Sequence, residues 1–177
     1  MKKHNKRVFN TQLFGSATKG KDIVYLLRLK SEQATENGAI LAYTTNNNRN
    51  VSSGVGSSMT KDGPVATPGN TEETLSLTAY LSSGDEMADK LEAAIKESAT
   101  IEVWEADLSQ PQSQGKYAGT YWEALLSSFA KASPADSLVE LSLEIVLEGG
   151  GKKGNVTVTD EQREEAYEFL DTTPTGV

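Results

Sequence analysis

From Ser137 to Glu148 the chain alternates. Val139, Leu141, Leu143, Ile145 and Leu147 hold one parity, Glu140, Ser142, Glu144 and Glu148 the other, and Val146 is the one exception. Successive side chains of a strand point to opposite faces, so this is a strand with one buried and one wet face, roughly 33 Å long. A parallel sheet covered on both sides would read as continuously apolar, so the alternation requires an antiparallel sheet. Its wet face carries a ladder of carboxylates, and Gly149-Gly150-Gly151 are expected to close it.

The rest of the chain supplies partners for this strand. Asp22 to Leu29 is nearly continuous in apolarity and reads as a central strand, and Ala39 to Thr45 as the start of a second. Thr44 to Asn70 is dominated by Asn, Ser, Thr and Gly. A structureless loop of that length does not suit a compact domain, so residues 44–72 read as a long hairpin reaching away from the body. Thr60-Lys61-Asp62-Gly63-Pro64 marks its tip, because Asp-Gly is a strong hairpin-turn signal. Thr74 to Leu81 returns, with Leu75, Leu77, Ala79 and Leu81 on one parity and Thr74, Ser76, Thr78 and Tyr80 on the other.

Asp85 to Ser98 carries a helical stripe, Met87, Leu91, Ala94 and Ile95, with acids in its first turn and Lys96 in its last. One amphipathic helix over 85–98 is therefore expected to pack on the sheets. Ile101 to Asp107 reads as a strand and Ser109 to Gly115 as a surface loop, while aromatic content makes Lys116 to Phe129 a strand. Asn155 to Val158 reads as a short strand, after which Thr159 or Asp160 caps a helix from Glu161 to about Leu170.

Composition removes several chemistries. There is no cysteine and His4 is the single histidine, which excludes disulfides, thiolate sites, most zinc sites and any Ser-His or Cys-His relay. The formal charge of −8 is uneven: residues 1–21 hold Lys2, Lys3, Lys6, Arg7, Lys19 and Lys21 and no acid, so the remainder is more acidic than the total. A basic arm before an acidic body suggests an interaction tail seeking an acidic surface. Val8 to Gly15 is too polar for a signal-peptide core, and no apolar run approaches the roughly 20 residues that span a bilayer. A soluble protein made in a reducing cytoplasm is expected, with no membrane partner.

Four local patterns invite functional readings. Gly15 to Asp22 fits most of a phosphate-binding loop, but Asp22 stands where Ser or Thr is needed and a strand follows instead of a helix. Lys2, Lys3, Lys6 and Arg7 could touch nucleic acid, yet no aromatic platform accompanies them. Glu140, Glu144 and Glu148 could act as glycosidase carboxylates, but nothing supplies a pocket or a raised pKa. Trp104, Tyr117, Tyr121 and Trp122 could stack on a sugar, although the core of a β-sandwich uses such residues more often.

Taken in order, several stretches resemble the major tail protein, or tail-tube, family of long-tailed siphophages of Gram-positive bacteria. They are Gly20-Lys21-Asp22-Ile23-Val24-Tyr25-Leu26-Leu27-Arg28, Thr60-Lys61-Asp62-Gly63-Pro64, Ile101-Glu102-Val103-Trp104-Glu105, Gly115-Lys116-Tyr117, Ser137 to Glu144, Gly151-Lys152-Lys153-Gly154 and Thr159-Asp160-Glu161-Gln162. The resemblance covers residues 20 to about 170.

It implies a mainly β protein with helices (α+β), an antiparallel β-sandwich flanked by one α-helix, with a long hairpin and extended terminal arms. On that plan 1–20 is the basic arm, 21–158 the body, and 159–177 a C-terminal helix and tail. The resemblance further implies a non-enzymatic virion protein without metal or cofactor, assembled in the host cytoplasm as hexameric rings stacked into a tube. Its implied partners are further copies of itself, a tape measure protein, tail terminator and baseplate or distal tail proteins, with genomic DNA passing through.

Carboxylates and hydroxyls suit a lumen that DNA must slide through, because each Lys or Arg contact to phosphate adds affinity. Ser76, Thr78, Tyr80, Glu140, Ser142 and Glu144 are therefore expected to face the channel, and the opposite parity to pack on the 85–98 helix. Thr60, Lys61, Asp62, Gly63 and Pro64 are expected to reach the next ring, and Lys2, Lys3, Lys6 and Arg7 to serve as an assembly arm. The tube of a contractile injection or secretion machine and a monomeric carbohydrate-binding β-sandwich are the alternatives.

Overall fold

The computed structural model describes residues 17–82, 84–113, 115–159 and 162. Among them, six strands form one antiparallel sheet: β1 (Ile23–Leu29), β2 (Thr44–Thr60), β3 (Gly63–Tyr80), β4 (Thr100–Pro111), β5 (Lys116–Ala132) and β6 (Glu140–Thr157), in the order β1-β4-β5-β6-β3-β2. One helix, α1 (Glu86–Glu97), joins β3 to β4. The Lys2, Lys3, Lys6 and Arg7 arm and the helix expected from Glu161 to Leu170 lie outside the described residues, Gln162 excepted.

The sandwich is built by folding this single sheet over. Glu140 to Leu147 of β6 pair with β3, whereas Lys152 to Thr157 pair with β5 alone. Between these halves Gly149, Gly150 and Gly151 have φ of 75°, 71° and 68°, and a Cβ on Gly151 would come within 2.6 Å of Trp122 Nε1. Only glycine takes such backbone angles freely. The three glycines therefore turn β6 from one layer into the other instead of ending it, and the segment expected as a separate strand from Asn155 is its continuation.

The core lies between the layers. Leu75, Leu77, Leu141, Leu143 and Ile145 meet Leu27, Ile101, Val103, Trp122 and Ala124, and α1 contributes Ala88, Leu91 and Ala94. The helix starts where Asp85 Oδ1 accepts the N–H groups of Met87 and Ala88 at 3.0 and 3.3 Å, which satisfies two of its orphan donors. A smaller cluster of Leu26, Ala106, Tyr117, Val156 and Val158 packs against the opposite face of β1 and β4.

Other expectations need correction. The stretch read as a central strand is β1, which stands at the sheet edge. Its apolarity comes from cover on both faces, Leu27 in the main cluster and Leu26 in the smaller one, not from strand neighbours on both sides. Ala39 to Thr45 is no strand until Thr44; Ala39 makes only an isolated bridge, exchanging two 2.8 Å backbone hydrogen bonds with Leu27. β4 runs on to Pro111 and takes the first part of the loop expected from Ser109. At the hairpin tip Thr60 pairs with Gly63, so Lys61-Asp62 forms the turn and Gly63, at φ 123°, starts the return. Thr159 and Gln162 exchange hydrogen bonds, Thr159 N–H to Gln162 Oε1 at 2.9 Å and Gln162 N–H to Thr159 Oγ1 at 3.3 Å. That reciprocal pattern is a capping box and selects Thr159 over Asp160 as the cap.

Candidate assembly surface

β6 and β3 pair so that Glu140 lies opposite Tyr80, Ser142 opposite Thr78 and Glu144 opposite Ser76. Residues directly opposite in an antiparallel pair share a face. All six residues expected to line a channel therefore share one face, with Ser76 Oγ donating to Glu144 Oε2 at 2.7 Å. The other face of the same strands is the buried set Leu75, Leu77, Leu141, Leu143 and Ile145.

The wet face is wider than sequence reasoning found. On β2, Asn46 lies opposite Thr78, Asn48 opposite Ser76 and Asn50 opposite Thr74; on β5, Ser128 lies opposite Glu144 and Ala130 opposite Ser142. Rows such as Asn48, Ser76, Glu144, Ser128 cross four strands. The asparagine run was visible, but its parity needed the register to show that alternate members join this face. Glu140 and Glu144 are the charges in these rows, and Arg49 and Lys131 fall opposite the buried Leu75 and Leu141. The four-strand face is bounded by two free edges, the outer side of β2 and the stretch of β5 beyond Leu125, where β4 has stopped pairing.

Beyond Asn70 the hairpin leaves the body, and its strands pair only with each other. Val55 faces Pro68, Ser57 faces Ala66 and Met59 faces Pro64, which puts Val55, Met59, Pro64, Ala66 and Pro68 on one side of the ribbon. Met59 is 82% exposed and Val55 70%.

Two ionic networks brace the fold, the first across the neighbouring strands β1, β4 and β5 and the second from β2 to β4, and neither was legible beforehand. Glu102, 2% exposed, receives Arg28 Nε at 2.8 Å and Nη2 at 2.6 Å on one oxygen and the Tyr121 hydroxyl at 3.0 Å on the other. Arg28 lies 4.9 Å from the centre of the Trp104 ring. Arg49 of β2 bridges Glu73 at 2.5 Å and Glu105 of β4 at 3.0 Å, while Trp122 Nε1 donates to Glu73 at 3.1 Å and the Tyr25 hydroxyl to Glu105. Burial pulls the Arg49 pKa down, but the bond to Glu73 and the charge of Glu105 outweigh it and leave it raised. Burial, then the bond to Glu105, pushes Tyr25 up. Arg49 thus pins the base of the hairpin across the fold to the opposite layer.

The Tyr121 hydroxyl is pushed up to about 12, first by burial and then by its hydrogen bond to Glu102. A folded value above the ordinary 10.0 favours the protonated form in the fold, so this contribution is complete below pH 10 and is lost as pH rises through about 12. Thermal melts across that window should show stability falling, and Tyr121→Phe losing less of it. Identical slopes for the two proteins would refute the assignment.

The other candidate patterns dissolve. Gly20–Asp22 is a single 3-10 turn running straight into β1, so no helix follows the glycine-lysine segment. Trp122 and Tyr117 are buried in different clusters, and Trp104 packs on Tyr121 with ring centres 5.4 Å apart, so the four rings form no common platform.

A family model described as phage tail tube protein matches residues 17–152. A tail protein of Staphylococcus phage phiMR25 is 31% identical over 121 residues, which span 64% of this chain and 63% of that protein. Among solved structures, the SPP1 tail tube is similar with a TM-score of 0.73 at 20% identity, covering 91% of this chain and 95% of that one. The tail of an empty gene transfer agent particle, refined with C6 symmetry, is similar with a TM-score of 0.61 at 10% identity, covering 77% and 98%. At these identities the two structures speak for the fold, and the family model speaks for the family.

Proposed function

As this chain belongs to the phage tail tube protein family, and is thus a structural component of the virion tail, we propose that it polymerises as stacked hexameric rings whose shared lumen conducts the genome. The observation that carries this reading is the four-strand polar face backed by the core. A surface meant to bind DNA would present cations to its phosphates, whereas the hydroxyls, amides and two carboxylates of these rows, together with the apolar Val146 and Leu125 beside Thr74, let a polyanion pass.

The free outer edge of β2 and the free edge of β5 support ring closure, since pairing each β2 with a neighbour's β5 would leave no exposed edge around the lumen. The C6 symmetry of the gene transfer agent tail supports six subunits per ring. On this reading Ser76, Thr78, Tyr80, Glu140, Ser142 and Glu144 line the lumen, Thr60 to Pro64 reach the next ring, and Lys2, Lys3, Lys6 and Arg7 act in assembly. A tape measure protein fills the lumen before DNA does, terminator and distal tail proteins end the tube, and assembly takes place in the host cytoplasm. The role is structural and needs no catalytic group.

Negative-stain electron microscopy of the purified protein over a range of concentrations tests this. Hollow tubes or rings with six-fold end views are expected. Monomers that persist at every concentration and are retained on an immobilised polysaccharide would overturn it in favour of a carbohydrate-binding sandwich.

A further inference from the structure

Of the exposed large apolar side chains of the described residues, four fall at the two opposite ends of β3, whereas Val51 and Val65 lie elsewhere on the hairpin and Leu125 and Val146 on the polar four-strand face. At one end the projecting hairpin carries Val55 and Met59 on one side of its ribbon. At the other end β3 stops at Tyr80, whose N–H donates to Tyr43 O at 3.1 Å, and the next residue, Leu81, donates to Val139 O at 2.9 Å. Tyr43, 58% exposed, and Leu138, beside Val139 and 65% exposed, therefore flank this far end. The inner strands separate the two groups, and nothing among the described residues joins them.

Tyr43 has a second mark. Its backbone sits at φ 53°, a left-handed conformation that costs a residue with a side chain, and its carbonyl is held there by Tyr80. The fold keeps a strained backbone while leaving the aromatic ring in water. Scattered exposed apolar residues are ordinary, but pairs placed at opposite poles of one molecule suit a head-to-tail contact between copies, which propagates without closing.

We infer that Tyr43 and Leu138 form the seat for the Val55 and Met59 side of the hairpin from a second copy in the adjoining ring. The inference rests on the stacked-ring reading above and deepens it by naming the acceptor. Charge agrees with an apolar seat: from Asn50 to Thr71 the hairpin carries Lys61 and Asp62 alone, which cancel, so an otherwise acidic chain docks this segment without repulsion. The exposed edge of β3 is blunted by Pro64 and Pro68, which lack the N–H that a sideways strand pairing would use. That leaves the apolar side of the ribbon for contact.

The absence of native cysteine makes the test clean. Full-length Met59→Cys/Leu138→Cys protein, oxidised under assembly conditions, should give a ladder of covalent oligomers on a non-reducing gel. Met59→Cys/Lys153→Cys should give none. Separately, Tyr43→Asp and Met59→Asp should each raise the protein concentration needed for tubes by at least about tenfold while six-fold rings still form. Wild-type tubes with no ladder, and with both Asp variants polymerising as wild type does, would overturn the contact alone. Wild-type protein forming neither rings nor tubes would overturn the stacked-ring reading and this inference with it.

Discussion

Arg28→Ala is expected to lower the free energy of unfolding by about 3–5 kcal/mol, the cost of removing one member of a buried ion pair. The Arg28 side chain is 14% exposed and that of Glu102 3%. Without the guanidinium, the Glu102 carboxylate keeps the Tyr121 hydroxyl at 3.0 Å and little else to offset its lost hydration. The substitution also removes the guanidinium from above Trp104 and the 2.8 Å bond to Glu36 O. For a chain of this size that corresponds to a melting point lower by about 10 °C.

Arg28→Met/Glu102→Leu should recover most of the loss, because the penalty comes from stranding a charge, not from losing a strong attraction. Arg49→Ala is milder, about 1–2 kcal/mol, since its side chain is 34% exposed and water can replace it. Urea titrations of the variants decide the matter. An Arg28→Ala protein within about 0.5 kcal/mol of wild type would mean that Glu102 regains water and is not held as described.

The second large effect is on transport. Glu140→Lys/Glu144→Lys exchanges the two carboxylates of the polar rows for cations in every subunit. Glu144 is exposed and Glu140 half-buried, so the fold and the tube should survive. Particles carrying this tube should eject DNA about tenfold more slowly at low salt, as each lysine holds a phosphate in passing. The delay should shrink as salt rises, because counterion release drives the attraction. Glutamine at both positions removes the charge without adding a hold and should leave ejection near the wild-type rate. Normal ejection by the lysine variant at low salt would place this face away from the DNA.

Much of the architecture was written in local periodicity. The two-residue alternation around Leu141 and Leu75 named the buried and wet faces of β6 and β3, and the stripe around Leu91 named the inner side of α1. These readings work because a strand or helix sorts its own side chains, so neighbours in sequence already state which side faces water. The hairpin was legible for a similar reason, since a long polar run in a compact chain has few other ways to satisfy its backbone.

What escaped depends on residues far apart in the chain. Glu102 sits between Ile101 and Val103 and looks like the solvent side of a strand, and only Arg28 and Tyr121 arriving from β1 and β5 make its burial tolerable. Arg49 looked like one more polar residue in an asparagine run until the fold brought Glu73, Glu105 and Trp122 around it. Gly149 to Gly151 read as an ending because glycines usually end strands, yet here a sheet serving two layers needed a strand to change direction without stopping. Which face of β3 and of β6 is wet is thus a one-dimensional property, carried by spacing alone. Register, the pairing of buried charges and the placing of Tyr43 and Leu138 at the same end of β3 arise only when the strands assemble, because each joins groups whose sequence separation carries no signal.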